Sequence, residues 1–191
     1  MIGWSLLEGA MRCMVYLPSL FTRFCEYFDG KLNWSKMRGD LWTDLVLKFF
    51  EEEAQRERAR PQREYMTLDL VWWGQYTQLV FALEHESSHR EVNRLLDEEV
   101  SHLIDVRAKS KVGIFYPAVG DEDIFVKNVE ERLYGRAYWG SKIPNEEYLF
   151  VLGFPATRQR KSAIKFKAYF YDDTGKRTGT NELVILQAEH G

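Results

Sequence analysis

The sequence predicts an α/β protein with a mixed central β-sheet flanked by helices. Two strand-like runs, 65–73 and 78–86, enclose the turn signal Gly74-Gln75. Apolar residues then recur with helical spacing up to Ile104, and the short apolar run 111–116 follows. Because a helix that joins two strands favours parallel pairing, the sheet is expected to be mixed.

The 191 residues suit one domain with a substantial core. We assign 1–191 to that domain, with 1–40 as an N-terminal helical extension and 147–191 as C-terminal strands. Cys13 and Cys25 form no metal-binding pattern, which is typical of reduced thiols in a cytoplasmic protein. No apolar stretch reaches the roughly 18 residues of a spanning helix, so no membrane association is expected.

The N-terminal half is expected to begin with two helices. The first follows Pro18 with Ser19 as its cap and ends at Asp29-Gly30. The second begins at Asp40 and carries a broad apolar stripe. It is predicted to continue as a charged tail to Arg60, since Pro61 cannot extend it. Three successive acids, Glu51, Glu52 and Glu53, are expected at its solvated end.

The second half is expected to alternate helices and strands. A helix capped by Ser87-Ser88 packs on the sheet and ends before Lys109. A second helix covers 121–138, with Ile124, Phe125, Val129 and Leu133 facing inward. Strands are predicted at 147–154, 163–171 and 182–187, the last two around the turn Asp172-Asp173-Thr174-Gly175. After the initial helices the order is ββαβαβββ.

Three carboxylates lie on the central pair of strands. Asp69 is on the first strand, and Glu84 and Glu86 share one face of the second. His85 takes the opposite face. A carboxylate within an apolar strand costs several kcal/mol unless it meets a charge partner or a metal. Oxygen ligands of this kind favour a divalent cation.

Asp69, a strand turn and Glu84-x-Glu86 followed by a helix resemble the PD-(D/E)xK nuclease superfamily over residues 41–116. The resemblance implies a restriction endonuclease-like core, in which an Asp and a Glu bind magnesium. It also implies a lysine at the position of Glu86. Arg90 and Arg94 are candidates to replace that lysine, and a phosphate contact or a simple surface charge is an equal alternative for them. One of Glu51, Glu52 and Glu53 is a candidate for an additional acid. Three meander strands are expected before the crossover helix, so residues 63–73 must either bend into two strands or depart from this topology.

The function expected from this resemblance is a metal-dependent nuclease that hydrolyses DNA phosphodiester bonds with Mg²⁺ or Mn²⁺. Asp69, Glu84 and Glu86 are its candidate catalytic residues and metal ligands. Because the lysine is missing, a catalytically inactive module that binds nucleic acid or serves assembly is the alternative. The expected partner is a nucleic acid, DNA before RNA, and a homodimer is left open.

A second motif overlaps the same acids. His85-Glu86-Ser87-Ser88-His89 matches HExxH, which on a helix holds zinc through its two histidines. The preceding run has the composition of a buried strand, and the two serines favour a cap. His85 is therefore expected on a strand, and a zinc metalloprotease is the less favoured alternative.

The charge of the chain is unevenly distributed. The net charge is −3, which is not typical of a nucleic-acid-binding protein. Residues 151–191, however, hold seven Lys/Arg against four Asp/Glu. This C-terminal part could contact a phosphate backbone or simply form a solvated charged surface.

Overall fold

The computed structural model describes residues 15–32, 40–87, 91–138, 143–159 and 161–188. Its centre is a seven-stranded sheet in which the strands lie side by side in chain order. The strands are β1 (Arg60–Tyr65), β2 (Leu68–Trp73), β3 (Leu79–Glu86), β4 (Ser110–Phe115), β5 (Glu147–Arg158), β6 (Lys161–Tyr171) and β7 (Arg177–Leu186). The helices are α1 (Leu17–Phe28), α2 (Asp40–Arg56), α3 and α4 (Glu122–Tyr138). Helix α3 comprises α-helical Val92–Arg94, π-helical Leu95–Val100 and α-helical Ser101–Asp105.

The sheet is mixed, as the sequence predicts. Strands β1, β2 and β3 form an antiparallel meander. Strands β3, β4 and β5 are parallel, with α3 and α4 as the connections between them. Strands β5, β6 and β7 are again antiparallel. The expected α/β class with a mixed central sheet flanked by helices is confirmed.

Each face of the sheet carries its own apolar core. Helices α1 and α2 cover one face with an aromatic cluster in which Phe24 contacts the rings of Phe49 and Phe166 at centroid distances of 5.6 and 5.3 Å. Helices α3 and α4 cover the other face, where Phe125 packs against Phe115. Cys25 is buried in the first core, and Cys13 lies outside the described residues. The two faces therefore present separate environments to the residues that alternate along each strand.

The single strand expected at 65–73 is two strands. The chain turns at Met66, which has a left-handed φ of 58°, so that Tyr65 pairs with Leu68. Strand β1 was missed because its sequence, RPQREY, is charged and contains a proline. Those features are typical of an edge strand, where one side of the backbone needs no partner. Of the two alternatives left open for residues 63–73, the structure adopts the bend into two strands.

The predicted start of α1 and the predicted end of α2 need correction. Helix α1 begins at Leu17 with proline in its first turn, and Ser19 is an internal residue whose hydroxyl accepts a hydrogen bond from Arg23 (2.6 Å). Helix α2 ends at Arg56 and has no charged tail to Arg60. The chain leaves α2 through Arg58, which has a left-handed φ of 56°, while the Ala59 amide bonds the Ala54 carbonyl (2.8 Å). This is the usual geometry of a helix C-terminus.

The helices of the second half also differ in detail. Helix α3 begins at Val92, so Ser87 is not its cap, and Ser88 lies outside the described residues. In α4, three of the four residues predicted to face inward are buried, but Ile124 is 51% exposed. Ile124 faces away from the buried stripe that Phe125, Val129 and Leu133 form on the helix.

The C-terminal strands are longer than predicted. Strand β5 continues to Arg158 and β6 begins at Lys161, which makes a hairpin with a two-residue connection. Strand β7 begins at Arg177, directly after the predicted turn, where Gly175 has a φ of 76°. The polar ends of these strands contain few apolar residues, so their alternation gave no strand signal.

Candidate metal centre

Asp69 and Glu84 lie side by side on adjacent strands. Leu70 of β2 pairs with Leu83 of β3, and the two acids are the next residues on their strands. Their side chains project towards α3, the same side as the buried Ala82. The backbone N–H of His85 donates a hydrogen bond to Asp69 Oδ2 at 2.7 Å, which fixes the Asp69 carboxyl against β3. The predicted positions of the two acids on neighbouring strands are therefore correct.

Glu84 is the most deeply buried of these carboxyls, with only 4% of the residue exposed. Burial raises the pKa of Glu84 to about 11, with further contributions from the charge of Asp69 and from a hydrogen bond with Glu99. Glu84 therefore carries a proton at neutral pH. Its Oε2 atom is buried and has no hydrogen-bond partner among the described residues.

Asp69 is affected by the same neighbours. Burial raises the pKa of Asp69 to about 6, the His85 amide opposes that rise, and the charges of Glu99 and Glu86 add to it. Glu86 also raises the pKa of Glu84. We call these four residues, Asp69, Glu84, Glu86 and Glu99, the acid cluster. Its members repel one another, so the cluster favours a positive charge in its midst.

The sequence did not indicate Glu99 as part of a nuclease site. Glu99 lies in the π-helical segment of α3, and it is half-buried against the sheet. Short π-helical segments are rare and occur often at functional sites. One sequence signal was available, since Glu99 stands four residues after Leu95 and four before Leu103, inside the buried stripe of the helix.

The acid cluster is not arranged as a coordination shell. Among the described residues, no three His, Cys, Asp or Glu side chains are placed to hold a metal ion together. The chemistry of the donors nevertheless fits a hard cation such as Mg²⁺, because all of them are carboxylate oxygens. The buried Glu84 Oε2, which lacks a hydrogen bond, fits the same role. Metal binding requires Glu84 to lose its proton and its hydrogen bond with Glu99.

Glu86 is the last residue of β3. It lies on the same face of the sheet as Glu84 and is half-buried. Of the two candidate substitutes for the missing lysine, the structure describes only Arg94, and it does not lie at this position. Arg94 bonds Glu98 one turn further along α3, with both nitrogen–oxygen distances at 3.0 Å and with its side chain 61% exposed. Arg90 lies outside the described residues.

A buried lysine does lie on the neighbouring strand. Lys111 of β4 pairs in register with Ala82, its side chain is fully buried, and its ammonium donates to the Ile104 carbonyl at 2.6 Å. It also forms an ion pair with Glu146. Burial lowers the pKa of Lys111 to about 7, although Glu146 opposes that change. These contacts direct its amine to the end of the sheet where β5 begins, so we assign Lys111 a structural role.

The acids at the end of α2 do not join the cluster. Helix α2 packs on the opposite face of the sheet. Glu53 is 1% exposed and accepts hydrogen bonds from Arg23 (2.6 and 2.9 Å) and Arg56 (2.5 Å). Glu51 accepts hydrogen bonds from Arg63 at 2.6 and 3.0 Å. The expectation of a solvated helix end is wrong for Glu53, because Arg23 from α1 neutralises it within the protein.

His85 points away from the acid cluster, as predicted. Its ring lies 5.6 Å from the Trp42 ring and its Nε2 is 3.3 Å from the Tyr116 hydroxyl. Burial lowers the pKa of His85 to about 3, so the ring is neutral. Because His85 and Glu86 are consecutive strand residues on opposite faces, they do not have the helical arrangement that HExxH zinc binding requires. His89 lies outside the described residues.

Comparisons with known proteins place the chain in no family. No protein-family model matches it, and no curated protein sequence matches it significantly. Within the described part of the chain, no helix is both long and apolar enough to cross a membrane.

Proposed function

We propose that this protein is a metal-dependent nuclease acting on DNA phosphodiester bonds, with Asp69, Glu84 and Glu86 as its metal ligands and catalytic residues. The observation that carries the proposal is the pairing of Asp69 and Glu84 on adjacent strands, with a buried Glu84 oxygen that has no hydrogen-bond partner among the described residues. A buried carboxyl oxygen without a hydrogen bond is costly, and a bound cation would remove that cost.

The order of the elements supports the same proposal. Helix α2 is followed by three meander strands, the crossover helix α3 and the parallel strand β4. Three meander strands before a crossover helix are part of what the resemblance to the PD-(D/E)xK superfamily implies, so this order supports the proposal. Asp69 is the second residue of β2, and Glu84 lies two residues before the end of β3.

Each residue of the site has its own role in this proposal. Asp69 and Glu84 would hold the cation, Mg²⁺ or Mn²⁺. The His85 amide holds the Asp69 carboxyl against β3. Glu86 either adds a further ligand or accepts the proton of the attacking water. When bound, the cation stabilises the negative charge that develops on the scissile phosphate and the leaving oxygen.

A catalytically inactive nuclease-like module is the second candidate, and one observation favours it. Glu84 is protonated and hydrogen-bonded to Glu99, and a glutamate stands at the lysine position. A site that has lost its metal could retain this closed arrangement of carboxyls. Such a module would bind nucleic acid or a partner protein without cleaving DNA.

One experiment separates the two candidates. Supercoiled and linear DNA are incubated with wild-type protein, Glu84→Gln and Glu98→Gln, with Mg²⁺, Mn²⁺ or EDTA. The proposal predicts metal-dependent cleavage by the wild type and by Glu98→Gln, because Glu98 lies on the exposed side of α3. It predicts at least a hundredfold loss for Glu84→Gln. Equal cleavage by all three proteins, or cleavage in EDTA, contradicts the proposal. If none of the three proteins cleaves DNA, the inactive module is favoured.

A further inference from the structure

The hairpin formed by β5 and β6 extends beyond the rest of the sheet. The last residue of β5 that pairs with β4 is Leu152, and β5 continues to Arg158. On the other side, pairing of β6 with β7 begins only at Ala163. Only the pairs Thr157–Ser162 and Arg158–Lys161 at the tip lack a neighbouring strand on both sides, since residues 163–167 of β6 also pair with β7. These four tip residues are exposed. We call residues 154–167 the basic ribbon.

The ribbon carries a one-sided charge. Residues 154–167 include five Lys/Arg and no Asp/Glu in a chain whose net charge is −3. Arg158 and Lys161 are exposed at its tip, where they form the last pair of the hairpin. Nearer the base, the Lys165 ammonium lies 5.8 Å from the centroid of the Phe154 ring. Arg160 lies outside the described residues. A concentration of positive charge on an otherwise acidic protein favours a polyanion as its partner.

The ribbon leaves the sheet at the same end as the acid cluster. One row of register pairs joins Glu86 to Phe115, Phe115 to Leu152 and Leu152 to Lys167. Three strand spacings therefore separate Glu86 from the base of the ribbon, which is about 14 Å. Lys167 and Glu86 lie on the same face, since Lys167 bonds Glu122 of α4 (2.8 Å). The acid cluster and the basic ribbon thus lie on one face and at one end of the sheet.

We propose that the basic ribbon docks on duplex DNA and contacts its phosphate backbone, while the acid cluster receives the scissile phosphate. The proposal rests on the nuclease function and names the surface that positions its substrate. The tip of the ribbon, where Thr157 and Arg158 pair with Ser162 and Lys161, is two-stranded and fits the major groove of B-form DNA, which is about 12 Å wide. The major groove of duplex RNA is too deep and narrow for side chains to read, which selects DNA. Contacts by lysine and arginine make the binding dependent on salt.

The test is the affinity for a fluorescent 25-base-pair DNA duplex, measured by anisotropy in EDTA between 50 and 200 mM salt, so that no cleavage occurs. The double variant Arg158→Glu/Lys161→Glu reverses the charge at the ribbon tip. Its control, Lys48→Glu/Lys127→Glu, makes the same change of net charge at exposed positions on α2 and α4. Circular dichroism confirms that each protein is folded.

The ribbon variant is expected to bind at least tenfold more weakly, with the slope of log K against log salt reduced by about 2 because two phosphate contacts are lost. The control is expected to keep the salt slope of the wild type. Its affinity is expected to stay within about threefold of the wild-type affinity. Equal losses in both variants, an unchanged ribbon variant, or wild-type protein that does not bind the duplex overturns the proposal. Tighter binding of duplex RNA or of anionic vesicles overturns the assignment to DNA.

A second measurement distinguishes failure of the ribbon proposal from failure of the nuclease proposal. Titration of the wild type and of Asp69→Asn with Mn²⁺ alone reports on the acid cluster without DNA. If the ribbon binds DNA but no metal binds the acids, the ribbon assignment stands and the nuclease function fails. If metal binds the acids and the ribbon variant binds DNA as the wild type does, the nuclease proposal stands and the ribbon assignment fails.

Discussion

The carboxyl groups of Glu84 on β3 and Glu99 on α3 are hydrogen-bonded to each other. Two ionised carboxylates cannot make this bond, so one of the two holds a proton, and the buried Glu84 is that residue. The pair closes the acid cluster against the helix. Under the proposed function, a cation must open this pair, so protonation, metal binding and stability are expected to be linked.

The first prediction concerns pH and Glu84→Gln. The pKa of Glu84 is raised from 4.5 to about 11 by burial and by its acidic neighbours, so the folded state keeps a proton that the unfolded state releases. Wild-type stability therefore falls as pH rises from about 5 towards 11. Glutamine keeps a donor for Glu99 and does not titrate. The stability gained by Glu84→Gln is expected to grow by about 2–4 kcal/mol between pH 5 and pH 8.

Urea unfolding at the two pH values measures that difference. Glu98→Gln is the matched control, because it removes a carboxyl from the exposed side of the same helix. A pH-independent difference between Glu84→Gln and the wild type shows that Glu84 is ionised in the folded protein.

The second prediction concerns the addition of metal. A cation that binds only the folded state stabilises it by about 2.7 kcal/mol at a hundredfold excess over the dissociation constant. We expect Mn²⁺ at pH 8 to raise the melting temperature of the wild type, because it neutralises the acid cluster. Asp69→Asn and Glu84→Gln are expected to lose most of that increase. An equal increase in all three proteins places the metal elsewhere.

The third prediction concerns Glu86→Lys, which restores the residue that the resemblance implies. A lysine there pairs with Asp69 and Glu84 and competes with the cation by roughly 1–4 kcal/mol for charges about 4 Å apart. If the site works with glutamate, the variant is expected to cleave DNA no faster than the wild type. Cleavage is measured on single- and double-stranded DNA with Mg²⁺ and Mn²⁺. Activity in the variant alone identifies the wild type as a nuclease that has lost its catalytic lysine.

The fourth prediction concerns the buried pair formed by Lys111 and Glu146. Glu146 also accepts hydrogen bonds from Arg136 (2.6 Å) and from the Tyr148 hydroxyl (2.8 Å). Glu146→Gln leaves two buried cations without their carboxylate and is expected to cost about 3–5 kcal/mol of unfolding free energy. Lys111→Met leaves Glu146 bonded to Arg136 and Tyr148, so its cost is expected to stay below about 2 kcal/mol. Urea denaturation checks the asymmetry, and equal losses contradict it.

Strand alternation was enough to predict part of the candidate site from the sequence. It placed Asp69 and Glu84 on adjacent strands and turned His85 towards the other face, since a period of two fixes the face of every strand residue. Glu53 could not be predicted to be buried, because its partner Arg23 lies 30 residues away in the chain. The position of Glu99 depends on a π-helical segment, which changes the helical period that the sequence analysis assumed.

The most direct test of a metal-dependent site is a crystal structure of the protein soaked with Mn²⁺ at pH 8, with anomalous scattering to locate the metal. The account predicts one or more cations between β2 and β3, with carboxylate oxygens of Asp69 and Glu84 within about 2.0–2.6 Å. It also predicts that the hydrogen bond between Glu84 and Glu99 is broken. A Glu84–Glu99 bond that persists at saturating Mn²⁺, with no anomalous peak beside Asp69, contradicts it.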